Sequence, residues 1–318
     1  MKITCFAGMM LMLTVTLHAQ VNILLDTDIG SDCDDAGALA VLNKLADRGE
    51  AHMLGVIYSS GKNKYGIGVC DAINTYYGRG DLPLGQYKGN DIGDPADHYS
   101  KAIATAGAVY HHDVVDDAPE LVETYKKILK RQPDSSVTLV TIGHPYGLVL
   151  LMRDAAAWRL VKRKIKKWVA MTGTSEKPNR DWNFGRNGAE YYIDTLLKHW
   201  PADAYFCTLG REVVTGNKKL PATPADNPVR KAYALWNDAL SHGRYSWDQI
   251  AVLFAVRPQY FRVDSSGALE QNKALQTYWN PRGHNPKHHR VLAPVAGNSA
   301  LADTIETLMS EAPSRPGK

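Results

Sequence analysis

Short apolar runs alternate along the chain with segments whose apolar residues recur at helical spacing. Residues 21–25 form the first apolar run, and residues 53–58, 137–142, 167–171 and 204–207 supply further ones. Leu39, Leu42 and Leu45 recur every three residues, as one face of a helix requires. Helices are also predicted over 68–77, 119–130 and 189–199. This alternation predicts an α/β fold with a mainly parallel, Rossmann-like open sheet flanked by helices.

The domain organisation follows from the absence of a clear break in this pattern. The 318-residue chain contains no internal repeat or low-complexity block that would separate two units. Residues 217–227 contain two prolines and are predicted to form a long loop rather than a linker. Residues 20–318 are therefore predicted to form a single domain.

The N-terminal segment differs from the rest of the chain. Lys2 is followed by the apolar stretch 6–17 and then by the small residue Ala19. This order predicts a secretory signal peptide over residues 1–19, and hence export to a periplasmic or extracellular location. The apolar stretch is short for a membrane-spanning helix, which needs ~20 residues. An uncleaved anchor is the alternative, but no stable membrane insertion is expected after cleavage.

Composition narrows the partners that the protein could bind. The net charge of +4 is small, and the hydrophobic and charged fractions of 44% and 22% are ordinary for a globular protein. The densest basic run, residues 162–167, could bind phosphate backbones or anionic lipid, but we interpret it as the solvated end of a helix. We expect no nucleic-acid partner. Three cysteines remain beyond residue 19, so at least one thiol is unpaired within the chain.

The candidate functional residues are concentrated in an acidic cluster, residues 26–35. It contains five aspartates within ten residues, between the first predicted strand and the first predicted helix. Such carboxylates repel one another unless a cation or protons compensate, and a helix N-terminus balances about one of them. Oxygen ligands favour Ca²⁺ or Mg²⁺, and Ca²⁺ tolerates irregular coordination. The cluster therefore predicts a Ca²⁺ site, with solvated loop carboxylates or helix caps as the alternative.

Two other acidic motifs resemble part of this cluster, an EF-hand loop and a phosphatase motif. An EF-hand loop beginning at Asp26 would need a glutamate at its twelfth position, where this chain has Gly37. A phosphatase of the haloacid dehalogenase type also places Asp-x-Asp after an apolar strand. Gly30 falls where that motif normally has Thr or Val. The phosphatase is therefore the alternative enzyme rather than the favoured one.

Four ordered segments carry a resemblance to a known family. Residues 25–30 (LDTDIG) with 34–36 (DDA) resemble the signature of the inosine-uridine-preferring nucleoside hydrolases. Residues 137–143, 181–184 (DWNF) and 247–249 (WDQ) resemble that family's central strand, its acidic-aromatic-Asn segment and its late Asp. The resemblance spans roughly residues 21–260. It implies the nucleoside hydrolase fold and hydrolysis of an N-glycosidic bond.

The resemblance also implies a set of site residues. The Ca²⁺ ligands would be Asp28, Asp35, Asp248 and the backbone carbonyl of Ile142. Asp28 would also be the general base for the metal-bound water, with Asp26 supporting the site from behind. The ribose hydroxyls would be bound by Asp34, Asp181, Asn183 and Asp248.

This chain departs from the family pattern at two points that bear on the site. Ser31-Asp32-Cys33 occupies a space where the family usually has one residue, which leaves Asp32 without a role. Trp247 stands where many members carry a histidine that protonates the leaving base. Stacking of the base between Trp182 and Trp247, or donation by His144, could replace that histidine. The identity of the group is left open by the sequence.

The sequence thus predicts an exported, Ca²⁺-dependent enzyme of ribonucleoside salvage. It would hydrolyse a ribonucleoside or a related N-riboside to free base and ribose, and its partner would be that small-molecule substrate. The alternatives are the phosphatase and a non-catalytic sugar- or nucleoside-binding protein of the same fold. Base preference and oligomeric state, including a homo-oligomer, are left open.

Overall fold

The computed structural model describes residues 20–314, so the predicted signal peptide lies outside the described residues. The strands are β1 (Val21–Thr27), β2 (Ala51–Tyr58), β3 (Leu84–Gln86), β4 (Val137–Thr141), β5 (Ile165–Met171), β6 (Asp203–Cys207), β7 (Val214–Thr215), β8 (Arg244–Tyr245), β9 (Phe261–Asp264), β10 (Ala268–Gln271), β11 (Thr277–Asn280) and β12 (His288–Pro294).

The helices lie between these strands and close the chain. They are α1 (Asp34–Asp47), α2 (Gly66–Tyr76), α3 (Ser100–Ala104), α4 (Gly107–Tyr110), α5 (Leu121–Lys130), α6 (Tyr146–Arg153), α7 (Ala155–Lys164), α8 (Ile193–His199), α9 (Pro228–Leu235), α10 (Ala239–His242), α11 (Trp247–Val256) and α12 (Asn298–Ser310). No helix among residues 20–314 is long and apolar enough to cross a membrane.

Eight strands form the main sheet in the order β3-β2-β1-β4-β5-β6-β12-β9. Every neighbouring pair is parallel except β12 and β9, which are antiparallel. This arrangement confirms the predicted α/β fold with a mainly parallel sheet. From β1 the strand order first proceeds to one edge of the sheet through β2 and β3, and then continues on the other side of β1 with β4. Open α/β sheets bind ligands at the carboxyl ends of the strands at such a switch point.

The first strand shows why continuous apolar runs predict this sheet. Ile23 and Leu25 point into one buried cluster, whereas Leu24 points into the cluster on the other face. All three side chains have no exposed surface. A parallel strand covered by helices on both faces has no solvent side, so its sequence does not alternate between apolar and polar residues.

The structure shows where the predicted helix 189–199 begins and where the basic run and the cysteines lie. The helix predicted over 189–199 begins only at Ile193, because residues 186–192 form turns in which Asn187 has a φ of 59°. The basic run begins in the last turn of α7, where Arg163 and Lys164 both pair with Asp134, and it continues into β5. The three cysteines in the described range are buried free thiols.

A buried carboxylate ties α12 to the segment that follows β7. Glu306 has no exposed surface and accepts hydrogen bonds from the backbone N–H groups of residues 216–219, at distances of 2.6 to 3.2 Å. Strand β7 pairs with β8, so the contact also fixes the position of that second strand. A loop with several otherwise unpaired N–H groups needs such an acceptor when it is buried.

We predict that Glu306→Gln lowers the free energy of unfolding by about 2–4 kcal/mol, because a neutral amide replaces charge-assisted bonds and faces N–H groups with a donor of its own. Urea denaturation of the purified chain measures this change. Asp303→Asn is the matched control on the same helix, where the exposed carboxylate pairs with Lys219. Little change is expected there. Equal effects of the two substitutions would contradict the anchoring role.

Candidate active site

A cavity of about 540 Å³ opens at the carboxyl ends of β1, β4 and β5. Nine of the residues predicted from the sequence line it, namely Asp28, Asp34, Asp35, Ile142, Asp181, Trp182, Asn183, Trp247 and Asp248. Asp32, a member of the predicted cluster to which the sequence assigned no role, also lines it, as do the unpredicted Arg211, Trp236 and Arg244. The acidic cluster and the late segments therefore meet in space, as parallel strand topology requires.

The acidic cluster forms the turn from β1 into α1. Asp34 and Asp35 occupy the first turn of α1, where the helix dipole favours negative charge. The hydroxyl of Thr27 donates to Oδ1 of Asp35 at 2.5 Å. Gly143 is the second residue after β4, and it lies so close to β1 that a Cβ there would sit 2.5 Å from the backbone nitrogen of Asp28. This close approach needs a glycine.

Three carboxylates converge in a geometry suited to a cation. One oxygen from each of Asp32, Asp35 and Asp248 lies within 4.8 Å of the others. Oδ1 of Asp248 is buried and has no hydrogen-bond partner among the described residues. Burial, followed by the charges of neighbouring aspartates, raises the pKa of Asp35 and Asp248 well above the usual range. The residues present therefore fit a hard divalent cation bound through oxygen.

Asp28 lies beside these three carboxylates and faces His144. Its Oδ2 is 3.2 Å from Nε2 of His144, and burial raises the pKa of Asp28 well above its usual range. Nδ1 of His144 lies 3.2 Å from the carbonyl oxygen of Asn183, and Nε2 lies 3.2 Å from the amide of Asn187. Donation from Nδ1 to that carbonyl leaves Nε2 as the acceptor of a hydrogen bond from the Asn187 amide.

The position of His144 bears on the leaving-group question. The side chain has no exposed surface, and burial lowers its pKa to about 4, so the imidazole is neutral at neutral pH. The structure places this ring behind Asp28 rather than on the cavity wall.

Arg244 holds two of the five aspartates of the cluster. Its Nε donates to Asp34 at 3.0 Å and a terminal nitrogen donates to Asp32 at 2.7 Å. The guanidinium lies 4.7 Å from the ring centre of Trp236, whose indole N–H donates to the carbonyl of Ser31. Burial raises the pKa of Asp34 to about 8, although Arg244 opposes the shift.

The segment after β5 is organised around Asp181. Its Oδ1 accepts from the backbone N–H groups of Asn183 and Phe184 at 3.1 Å, and its Oδ2 accepts from the hydroxyl of Thr277 at 2.6 Å. The Asn183 amide donates to the carbonyl of Ile142 at 3.0 Å. This carbonyl keeps a second lone pair for another partner. Asp181 thus fixes the turn that presents Asn183 to the end of β4.

Two tryptophans complete the cavity wall. Trp182 is 43% exposed, and Trp247 begins α11 directly before Asp248. A Cβ on Gly210 would lie 2.2 Å from the ring of Trp247, so the backbone there packs directly on the indole. Both tryptophans therefore line the same cavity as the carboxylates.

Asp26 supports the site from the strand below. Its side chain is fully buried and accepts from Ser59 at 2.5 Å and from Tyr125 at 2.6 Å. Burial raises the pKa of this carboxyl to about 7. Its backbone carbonyl accepts from the N–H of Ile142 at 2.9 Å, which links the ends of β1 and β4.

Comparison with known proteins gives a structural likeness without a sequence match. No family model and no curated protein matches the chain. The inosine-uridine preferring nucleoside hydrolase from Bacillus anthracis is 16% identical with a TM-score of 0.72, covering 92% of this chain and 99% of that one. The purine-preferring ribonucleoside hydrolase from Gardnerella vaginalis is 16% identical with a TM-score of 0.64, covering 91% and 98%.

A third neighbour is described as an effector protein. The type III effector protein XopQ, complexed with adenosine diphosphate ribose, is 13% identical with a TM-score of 0.64 and covers 92% of this chain and 93% of its own. At these identities the likeness concerns the fold. The likeness extends over 91–92% of this chain, which therefore has the nucleoside hydrolase fold.

Proposed function

We propose that the protein hydrolyses the N-glycosidic bond of a ribonucleoside or a related N-riboside to free base and ribose. The observation that carries the proposal is that Asp28, Asp35 and Asp248 line one cavity, in a chain with the nucleoside hydrolase fold. Export and salvage of ribonucleosides outside the cytoplasm are part of the same proposal and rest on the sequence alone.

The proposed metal is Ca²⁺, held by Asp28, Asp35, Asp248 and the carbonyl of Ile142. When bound, the ion supplies Lewis acidity that lowers the pKa of a coordinated water. The mutual approach of Asp32, Asp35 and Asp248 supports such a site, and it makes Asp32 a further candidate ligand. Arg244 competes for Asp32 by holding its Oδ2.

Asp28 is the proposed general base. Its carboxylate lines the cavity, and its Oδ2 lies 3.2 Å from Nε2 of His144. The lone pair of Nε2 accepts from the Asn187 amide, so a proton taken by Asp28 from water would have to replace that bond to reach Nε2. His144 acts in this scheme as a positioning residue for Asp28.

Asp34, Asp181, Asn183 and Asp248 are proposed to bind the ribose hydroxyls. Arg244 orients Asp34, and the N–H bonds to Asp181 orient Asn183, so two of these groups are held before substrate arrives. The surrounding carboxylates would stabilise the positive charge that develops on ribose as the bond breaks. Trp182 and Trp247 would stack on the departing base.

A binding protein without turnover is the second candidate function. It is favoured by one observation, the fold neighbour solved as an effector with adenosine diphosphate ribose. The same carboxylates and tryptophans would then hold a riboside without promoting water attack.

Incubation of the purified mature chain with inosine, uridine and p-nitrophenyl phosphate, with and without EDTA, separates the candidates. We expect release of free base, its loss in EDTA and its recovery on adding Ca²⁺. Release of phosphate would favour the phosphatase. Tight binding of a nucleoside without either product would favour the binding protein.

Asp28→Asn is expected to lower kcat by ~10²–10⁴-fold, because the amide cannot accept the proton of water. Initial rates of base release measure the change, and circular dichroism checks that the fold is kept. Asp203→Asn is the matched control, since this exposed aspartate begins β6 at the opposite end of the sheet. Near-normal turnover by the Asp28 variant would rule out its role as the base.

A further inference from the structure

Basic residues are concentrated on two neighbouring helices and the segments that follow them. Residues 126–136 and 158–167 together hold ten of the chain's 37 lysines and arginines but only one of its 33 aspartates and glutamates. The rest of the chain therefore holds fewer basic than acidic residues, although the net charge of the whole is +4. This uneven distribution places a positive field on one side of the molecule.

The structure brings these two segments together. Helices α5 and α7 pack against each other and contribute to the same buried cluster on one face of the sheet. The loop after α5 reaches the end of α7, where Nζ of Lys164 donates to the carbonyl of Gln132 at 2.7 Å. The backbone N–H of Ser135 donates to the carbonyl of Arg163 at 2.9 Å. Residues 126–136 and 158–167 thus form one surface, which we call the α5/α7 patch.

Most cations of the patch have no partner within the protein. Arg163 and Lys164 pair with Asp134, and Lys126 pairs with two further carboxylates. The exposed basic side chains of the patch that form no ion pair with any residue of the range 20–314 are Lys127, Lys130, Arg131, Arg159, Lys162 and Lys166.

The helix dipoles account for only part of this charge. A helix C-terminus carries the equivalent of about half a negative charge, so one cation in the last turn is enough to balance it. The last turns of α5 and α7 contain two and three cations. Arg159 and Lys166 lie outside those turns. The excess positive charge therefore faces solvent and is available to an anionic partner.

The patch lies at the opposite end of the sheet from the cavity. Helix α7 leads directly into β5 and α5 ends shortly before β4, whereas the cavity opens at the carboxyl ends of the strands. Strand β1 starts at the same edge, because Asn22 lies beside Val137 of β4, which lies beside Ile165 of β5. The predicted signal peptide therefore joins the domain on the side of the patch. A surface bound there leaves the cavity open to solvent.

From the unpaired cations on two packed helices and their position opposite the cavity, we propose that the α5/α7 patch docks on a lipid bilayer with anionic phosphate headgroups. Each lysine or arginine near such a bilayer strengthens the attraction. Trp158 is half-buried within the patch, and Nζ of Lys162 lies 5.8 Å from its ring centre. Tryptophan is enriched where protein meets lipid headgroups. This inference goes beyond the proposed hydrolase function and does not depend on it.

A bilayer suits the shape of the patch better than a nucleic acid does. The patch consists of the outer sides of two packed helices, whereas single strands are held in a basic groove with several aromatic platforms. The predicted export would also bring the mature chain next to a membrane. The docking is peripheral, because it needs no helix to enter the lipid.

Flotation of the purified mature chain, residues 20–318, with lipid vesicles tests the docking. We expect association with vesicles of equimolar phosphatidylglycerol and phosphatidylcholine, and none with phosphatidylcholine alone. The association should disappear as NaCl rises from ~0.05 M to ~0.5 M, because salt screens exposed charges. No association with the anionic vesicles at low salt would overturn the inference. Tighter binding to double-stranded DNA than to these vesicles would assign the patch to nucleic acid and overturn it as well.

Two variants of equal net charge separate the patch from overall charge. One variant neutralises three unpaired lysines of the patch, Lys130→Gln, Lys162→Gln and Lys166→Gln. Its matched control neutralises three exposed lysines outside the patch, Lys177→Gln, Lys231→Gln and Lys273→Gln. The patch variant should bind the anionic vesicles about 10-fold more weakly or worse, and the control should bind as the unaltered chain does. Circular dichroism checks that both remain folded. Equal weakening in the two variants would overturn docking through the patch.

The orientation on the vesicle gives an independent readout. The cysteines of the mature chain are buried, so an introduced surface thiol is labelled selectively. A fluorophore on Ser135→Cys, within the patch, should be quenched by a lipid that carries a quencher. A fluorophore on Lys177→Cys, on the segment between β5 and the cavity residue Asp181, should remain unquenched. Equal quenching at the two positions would contradict the proposed orientation and overturn the inference.

Discussion

The mutual repulsion of buried carboxylates is the constraint on which the rest of the site depends. Five aspartates lie between the end of β1 and the first turn of α1, and Asp248 joins them from α11. Burial raises the pKa of several of them, so the metal-free cluster favours bound protons. Arg244 balances Asp32 and Asp34 from β8. The remaining carboxylates need either protons or a cation.

The residues that position and neutralise these carboxylates come from elements far apart in the chain. Glu306 on α12 holds the segment after β7, β7 pairs with β8, and β8 carries Arg244 to the acidic cluster. On the other side, Gly143 lets β4 approach Asp28, and Asn183 reaches the carbonyl of Ile142. Structural contacts and proposed site residues are therefore linked, and a loss of stability at α12 would also disturb the orientation of Asp34.

The sequence predicted the parts of the molecule that local pattern determines. Buried parallel strands appear as continuous apolar runs, and a strand followed by clustered aspartates and then by a helix places those aspartates at a sheet end. Arg244 and Trp236 were missed because nothing near them in sequence indicates their contacts with the cluster about 200 residues earlier. The sequence assigned no role to Asp32, because its salt bridge with Arg244 joins residues far apart in the chain. The late start of α8 reflects Asn187, whose positive φ belongs to a turn that local helix propensity does not reveal.

Calorimetric titration of Ca²⁺ into the metal-free protein tests the central claim most directly. If the cluster is a cation site, binding occurs at a single site and becomes tighter from pH 6 to pH 8, because burial raises the pKa of the proposed ligands Asp28, Asp35 and Asp248 well above the usual range and protons compete with the ion at lower pH. The same account predicts that Asp248→Asn greatly weakens binding. Absence of binding, or an affinity that neither pH nor this substitution changes, would contradict the account.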